Sequence, residues 1–193
     1  MLFIHNAHIK TMAGTDIEKG AILVENGKIV QIGQNLSVEG AEVIDAAGKC
    51  ITPGFVDPHS HIGGFGPGNE QDLNEMTNPL TPDMDAYYGI DPTSDDFDVA
   101  IRQGITTSCL APGSANIVGC WVFAYKSAGD NRLVKRPVAL KAAMGINPKG
   151  CYAGKGQAPM TRMAIASMLR GYLRKVKEYI EKKEAAGDDK TKL

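Results

Sequence analysis

Residues 51–61 read Ile51-Thr52-Pro53-Gly54-Phe55-Val56-Asp57-Pro58-His59-Ser60-His61. A Pro-Gly break precedes a short apolar run that ends at a proline, and two histidines follow, one residue apart. Pro58 cannot donate to a sheet ladder, which places it at a strand end or edge. If the chain stays extended there, residues i and i+2 point to one side with Cα atoms roughly 6.5 Å apart. Two imidazoles at that spacing can share one cation at about 2.0–2.1 Å. A His-x-His triplet is common, and alone it reads more readily as two exposed loop histidines, so the flanking sequence has to decide. Asp57 falls on the same side as His59. It can accept from a ligand imidazole and orient it, or bond nearby backbone N–H groups as a strand-end carboxylate.

Upstream, the first fifty residues read as short strands. Ala21-Ile22-Leu23-Val24 and Lys28-Ile29-Val30-Gln31-Ile32 flank Glu25-Asn26-Gly27. Asn-Gly supplies the two positive-φ positions of a type I′ hairpin turn. Leu2-Phe3-Ile4 and Ala41-Glu42-Val43-Ile44-Asp45 are further strand candidates, and together they predict a small all-β module. His5 and His8 fall within it and read as strand or surface residues.

Downstream, a Gly-, Pro- and Asn-rich stretch runs from about Gly63 to Pro92. A structureless segment of that length in a compact domain is usually functional or disordered, and its position predicts a mobile lid or substrate loop. Its acidic residues Glu70, Asp72 and Glu75 read as a solvated face. Thr93, with Asp96 three residues on, predicts a capped helix that Gly104 stops. Ile105-Thr106-Thr107-Ser108-Cys109-Leu110 is a β-branched strand closed by Pro112-Gly113, and Val138-Ala139-Leu140 predicts another. From Met160 to Ala186 the period is helical: Ile165, Leu169, Tyr172, Leu173, Val176 and Ile180 share one stripe. Arg174 with Glu178, and Glu178 with Lys182, are i,i+4 pairs on the wet face. Strand, helix, strand, strand, helix is the order of a parallel α/β sheet. About three strands are too few to close a barrel.

With this context, residues 51–61 resemble the first barrel strand of the metal-dependent amidohydrolase superfamily. Gly27-Lys28-Ile29 and Val43-Ile44-Asp45-Ala46-Ala47-Gly48-Lys49 resemble the β-sandwich that precedes that barrel. Gly104-Ile105-Thr106-Thr107, Pro112-Gly113-Ser114-Ala115-Asn116 and Ala139-Leu140-Lys141 with Gly145-Ile146-Asn147-Pro148-Lys149 look like later blocks of its imidazolonepropionase-like branch. The resemblance implies a β-sandwich over residues 1–52, then the first part of a (β/α)8 TIM-like barrel over residues 53–193, left incomplete. It implies metal-assisted hydrolysis of a C–N bond in a cyclic amide or amide, with a divalent ion held by His59 and His61. Zinc is the first expectation, as one ion or two, with iron, manganese or nickel as alternatives.

Family members complete the site with further histidines and a late aspartate, and some use a carboxylated lysine or a bridging glutamate. Beyond His61 the chain has no histidine, so the acid/base aspartate and the remaining ligands are expected from other sequence. Ser114 and Asn116, in the loop after the second barrel strand, are candidates for substrate binding. Lys141, set among apolar residues, is another, although a lysine snorkelling from a strand edge fits the pattern as well.

Composition sets the outer bounds. The 193 residues are 43% hydrophobic and 22% charged, which is ordinary for a globular protein. A formal net charge of −1 gives no reason to expect nucleic acid or an acidic membrane as partner. No apolar run approaches the roughly 18 residues of a membrane span. The start, Met1-Leu2-Phe3-Ile4-His5, lacks the pattern of a secretory leader and predicts mature cytoplasmic sequence. Cys50, Cys109, Cys120 and Cys151 form no C-x-x-C pair and read as reduced thiols, Cys109 as a small buried residue.

The expected partners are a small-molecule substrate and a second polypeptide that supplies the rest of the barrel. A homo-oligomer of the assembled enzyme is compatible with this. The polar tail after Gly187 reads as an exposed segment suited to proteolysis. Two rivals stay open: a fragment or pseudoenzyme that binds metal or a partner without catalysis, and a non-hydrolytic α/β binding protein in which the histidines are incidental.

Overall fold

The computed structural model describes residues 1–65 and 72–187. The chain divides into two units, Met1–Gly54 and Phe55–Leu193.

The first unit holds β1 (Leu2–Ile9), β2 (Ile17–Glu25), β3 (Lys28–Gly33), β4 (Glu42–Asp45) and β5 (Cys50–Ile51). They form one mixed sheet in the order β3-β2-β1-β4, with β5 also on β1. β2 runs antiparallel to β1 and β3, whereas β4 and β5 are parallel to β1. Asn26 and Gly27 turn the chain with φ of 48° and 72°, and Glu25 pairs with Lys28. This is the left-handed pair that a type I′ turn requires. Ala7, Ile9, Ile22 and Ala46 make the core, with Ile4, Ile17, Val24 and Ile51 around it. The predicted sandwich is thus a single layer here. Residues of its other strands, Ile29, Val30, Val43 and Ile44, stand exposed. His8 pairs through Nδ1 with Glu18 at 2.8 Å, and His5 stacks on Phe3.

The second unit holds β6 (Phe55–Ser60), a 3-10 turn (Ala86–Gly89), α1 (Asp96–Arg102), β7 (Ile105–Leu110), β8 (Val118–Lys126), β9 (Leu133–Ala142), α2 (Ile146–Ala153) and α3 (Arg162–Ala186). Its sheet runs β6-β7-β8-β9. Only β6 and β7 are parallel; β7–β8 and β8–β9 are antiparallel. The predicted all-parallel sheet is therefore corrected to a mixed one. The reason is connection length: a parallel return needs a crossover of a dozen or more residues. The links from β7 to β8 and from β8 to β9 are far shorter. β8 was not anticipated, because Pro112-Gly113 and Gly119 read as turn. Its run Cys120-Trp121-Val122-Phe123-Ala124-Tyr125 is nonetheless rich in residues that suit a buried strand. The sheet does not close into a barrel.

Two helix starts depend on local hydrogen bonds. Thr93 is no cap: its N–H and hydroxyl both donate to Asp91 Oδ1, and α1 begins three residues later, where Ser94 Oγ accepts from Asp96 N. Thr161 does cap α3, its hydroxyl accepting from Ala164 N at 3.1 Å. Of the predicted stripe on α3, Ile165 is buried against Ile117 and Val118, with Leu169 and Tyr172 partly covered. Leu173 and Ile180 are exposed. The ion pair formed on the wet face is Lys177–Glu181.

The long segment after His61 is not a loose loop where it is described. Leu73 and Thr81 are buried, Leu80 bridges to Val118 and Asp85 to Trp121, and Ala86 joins Phe97, Leu110 and Phe123 in the core. It packs because its turns satisfy their own backbone groups: Asn78, Asp85 and Asp91 each accept from the N–H two residues on. Glu70 lies outside the described residues. Glu75 Oε1 accepts from Thr77 N. All four cysteines are free, Cys120 buried and Cys109 half-buried.

Candidate metal centre

β6 delivers His59, and His61 follows directly after its last residue, Ser60. The two rings lie 5.1 Å apart, nearly perpendicular at 79°. His61 Nδ1 is 2.8 Å from the Ala111 carbonyl. A carbonyl only accepts, so Nδ1 carries a proton, and in the neutral ring Nε2 is then the nitrogen with the free lone pair. That is the tautomer and the support that metal-binding imidazoles use. Ala111 is itself fixed, its N–H donating to the Ser60 carbonyl at 3.0 Å.

Asp57 acts on the backbone. Its Oδ1 accepts from His59 N at 3.0 Å, so the carboxylate expected to orient an imidazole instead holds the turn that presents it. Its charge still favours the protonated form of His59.

The decisive contact comes from β9. Lys141 is 9% exposed, and its Nζ lies 3.2 Å from His59 Nε2. The aliphatic stem of Lys141 packs over Gly119, where an added Cβ would meet Cγ at 3.4 Å. The snorkelling alternative therefore does not describe this lysine. Burial pushes the Lys141 ammonium below its usual range. Withdrawal from water, then the charges of Lys141 and His61, push the His59 imidazole below its own. Burial is the main cause of both shifts. The contact adds a separate constraint, since two cations cannot share a hydrogen bond and one of the two nitrogens must be an unprotonated acceptor.

Pro58, His59, Ser114, Val122 and residues 139–142 line a cavity of about 460 Å³ beside this contact. Ser114 is thus brought to the site. Asn116 is not. Its Nδ2 donates to the Glu75 carbonyl at 2.6 Å and to Thr81 Oγ1 at 2.8 Å, and its Oδ1 accepts from Tyr152 Oη at 2.6 Å. An amide with both donors and its acceptor engaged in the protein interior is a structural lock, which corrects the expectation that it binds substrate. Glycine in the same loop serves close packing, since a Cβ on Gly113 would overlap the Asn74 amide.

Among the described residues no three His, Cys, Asp or Glu side chains converge to hold a metal ion. The nitrogen donors of His59, His61 and Lys141 do fit one in chemical type. They include no anionic oxygen, and the sequence pattern did not reveal that Lys141 would meet His59, because 82 residues separate them.

Comparison with known proteins agrees over part of the chain. Residues 42–84 match the model of the amidohydrolase family, whose members usually bind metal. The chain is 28% identical over 186 residues to the amidohydrolase tasK of Hapsidospora irregularis, covering 86% of this chain and 19% of that protein. It is 49% identical over 59 residues to a D-hydantoinase of Geobacillus stearothermophilus, covering 31% of this chain and 12% of the relative. The crystal structure of an amidohydrolase from Thermotoga maritima MSB8 superposes with a TM-score of 0.85 at 38% identity, over 98% of this chain and 51% of that one. The chain thus spans about half of that solved structure and a fifth or less of these curated relatives. Among the described residues no helix is long and apolar enough to cross a membrane.

Proposed function

We propose that this chain carries part of the centre of a metal-dependent hydrolase that cleaves a C–N bond in a cyclic amide or amide, with His59, His61 and Lys141 as the ligands it contributes. The single observation behind this reading is the approach of Lys141 Nζ to His59 Nε2, 3.2 Å, at the wall of a cavity. The relatives point the same way: hydantoin and dihydroorotate, named in two of them, are cyclic amides. The imidazolonepropionase-like blocks named from the sequence would also act on a ring C–N bond.

Each residue has a defined task. His61 offers Nε2 because Ala111 holds its Nδ1–H. His59 offers Nε2 because Asp57 fixes its backbone and neighbouring positive groups oppose its protonation. Lys141, driven toward the free amine by burial, would add to carbon dioxide. The ammonium first gives up one proton. The neutral amine then forms a new N–C bond as one C=O π bond opens onto oxygen. A second proton leaves the nitrogen to solvent, so that the product is a carbamate anion. That supplies the oxygen donor the histidines lack. A divalent ion held there, zinc first, would activate water and polarise a carbonyl. Ser114, which lines the cavity, would donate to the substrate.

The acid/base aspartate and the other ligands would come from further polypeptide, continuous or separate, that adds strands to the open edges of β6 and β9. This is consistent with a chain that spans about half of the solved relative.

Elemental analysis and native mass spectrometry of the assembled protein test the reading. Metal bound in the wild type, lost in His59→Ala and Lys141→Ala, with a mass increment of one carbon dioxide that Lys141→Ala abolishes, is the expected result. Metal content unchanged in both variants would overturn it. Metal bound with no hydrolysis, once the complementary half is present, would favour a non-catalytic metal-binding role.

A further inference from the structure

We propose a second binding site on the opposite face of the β6–β9 sheet, a pocket that takes one small uncharged aromatic ring among Tyr87, Tyr88, Phe123 and Tyr125. Strand alternation separates it from the His59 site. Val122 lines the His59 cavity, whereas its neighbour Phe123, and Tyr125 beyond, line the other. The rings of Phe123 and Tyr125 lie 5.8 Å apart, on one side of β8.

Ile90 and Pro92 complete the walls of a cavity of about 250 Å³. That is room for one ring, since an apolar cavity of about 150 Å³ accepts benzene. Its lining runs from core to surface: Phe123 is buried, Tyr87, Ile90 and Tyr125 are partly buried, and Tyr88 is exposed. The aromatic walls stand edge to face, Tyr87 against Phe123 at 76° and Phe123 against Tyr125 at 77°. Tyr87 and Tyr88 meet in the same way at 81°. Such walls offer both ring faces and ring edges to an inserted ring, a contact that an aliphatic ring of the same size cannot return.

Two arginines brace these walls without lining the cavity. Arg136 lies over Tyr87 and Tyr88, 4.4 and 4.6 Å from the ring centres. Asp85 fixes it, Oδ2 accepting from Nε at 2.7 Å. The other oxygen of the same carboxylate, Oδ1, accepts from Tyr87 N at 3.0 Å. Arg132 lies over Tyr125 at 4.6 Å, and its Nη1 donates to the Pro92 carbonyl at 2.7 Å. Walls held in place before a ligand arrives reduce the ordering cost of binding. The same arrangement selects the charge of the ligand. Among the described residues no charged side chain lines the cavity, so an anion finds no partner there. Two guanidiniums stacked on the wall rings oppose a further cation. An uncharged ring is the ligand that fits both conditions.

Saturation-transfer NMR on the assembled protein tests this with four probes: phenol, cyclohexanol, benzoate and benzylammonium. Phenol should bind saturably. Cyclohexanol, which keeps the size and the hydroxyl but has no π system, should bind at least fivefold more weakly. The two charged rings should bind at least tenfold more weakly. Ile90→Trp, which fills the cavity from its wall, should weaken phenol at least tenfold. Tyr88→Ala, at a residue 79% exposed and therefore tolerant of truncation, should weaken it at least threefold. His59→Ala should leave it unchanged. Phenol binding that is absent, that cyclohexanol equals, or that survives Tyr88→Ala in full would overturn the proposal. Benzylammonium bound as tightly as phenol would make the pocket a cation cage and overturn it as well. Binding lost in His59→Ala would move the ligand to the metal centre, with the same consequence.

Discussion

Lys141 Nζ lies 3.2 Å from His59 Nε2, across a sheet whose first and last strands supply the two residues. β7 and β8 separate those strands in the sheet order, so the contact depends on both strands lending long side chains to the same face. Four predictions follow from the geometry around it.

Removal of either imidazole should release the metal. His59→Ala and His61→Ala each take away one nitrogen ligand, and loss of even a supporting partner typically costs about 10–100-fold in affinity. Zinc affinity by competition with a chromophoric chelator should fall at least that far in each variant. Wild-type affinity in either would count against that histidine as a ligand.

The metal-free protein should titrate unusually at His59. Its imidazole is held below the ordinary value of 6.5 by withdrawal from water first, then by Lys141 and His61. The folded state therefore resists a proton that the unfolded chain accepts. The resulting stability is present above pH 6.5 and is lost as pH falls through the depressed folded value. NMR titration should place His59 below 6.5. Lys141→Met should raise that midpoint without restoring it fully, because partial desolvation, the larger cause, remains.

Tyr152 should mark an alkaline limit. It is completely buried, donates to Asn116 Oδ1, and burial pushes its hydroxyl up to about 12. A raised folded value means stability present below the ordinary value of 10 and lost as pH climbs towards 12. Denaturant midpoints should fall across that window in the wild type. In Tyr152→Phe the contribution of this group to the fall should vanish. At neutral pH the same variant should be less stable by about 1–3 kcal/mol, since it leaves Asn116 Oδ1 buried without its donor.

Asn116→Ala should destabilise the fold and spare the metal. The amide ties the segment around Glu75 and Thr81 to Tyr152. Limited proteolysis should open residues 75–81 in the variant, while zinc affinity changes by less than about threefold. Unchanged proteolysis, with reduced zinc affinity, would return Asn116 to the site.

The sequence by itself determined what local chemistry can determine. Asn26-Gly27 fixed the hairpin of β2 and β3 because only left-handed backbone makes that turn. Thr161 and the 3.6-residue period fixed the start and course of α3. Phe55 to His61 fixed a strand that presents a histidine pair, since spacing along an extended chain is set by its own geometry.

Tertiary structure alone decided the rest. Thr93 reads as a helix cap in sequence but is claimed by Asp91, a competition visible only when both are placed. β8 reads partly as turn because it opens on Val118-Gly119, a glycine that serves packing beneath Lys141, as Gly113 in the loop before it does against Asn74. Ser114 and Asn116 look equivalent in sequence, yet one lines the cavity and the other locks the interior, because loop residues only two apart can face different surroundings. Lys141 could be a surface lysine or a buried one on its local pattern. Only the pairing of β9 with β8 brings it to His59, and a contact between residues so distant in the chain is set by sheet order, which no local period encodes.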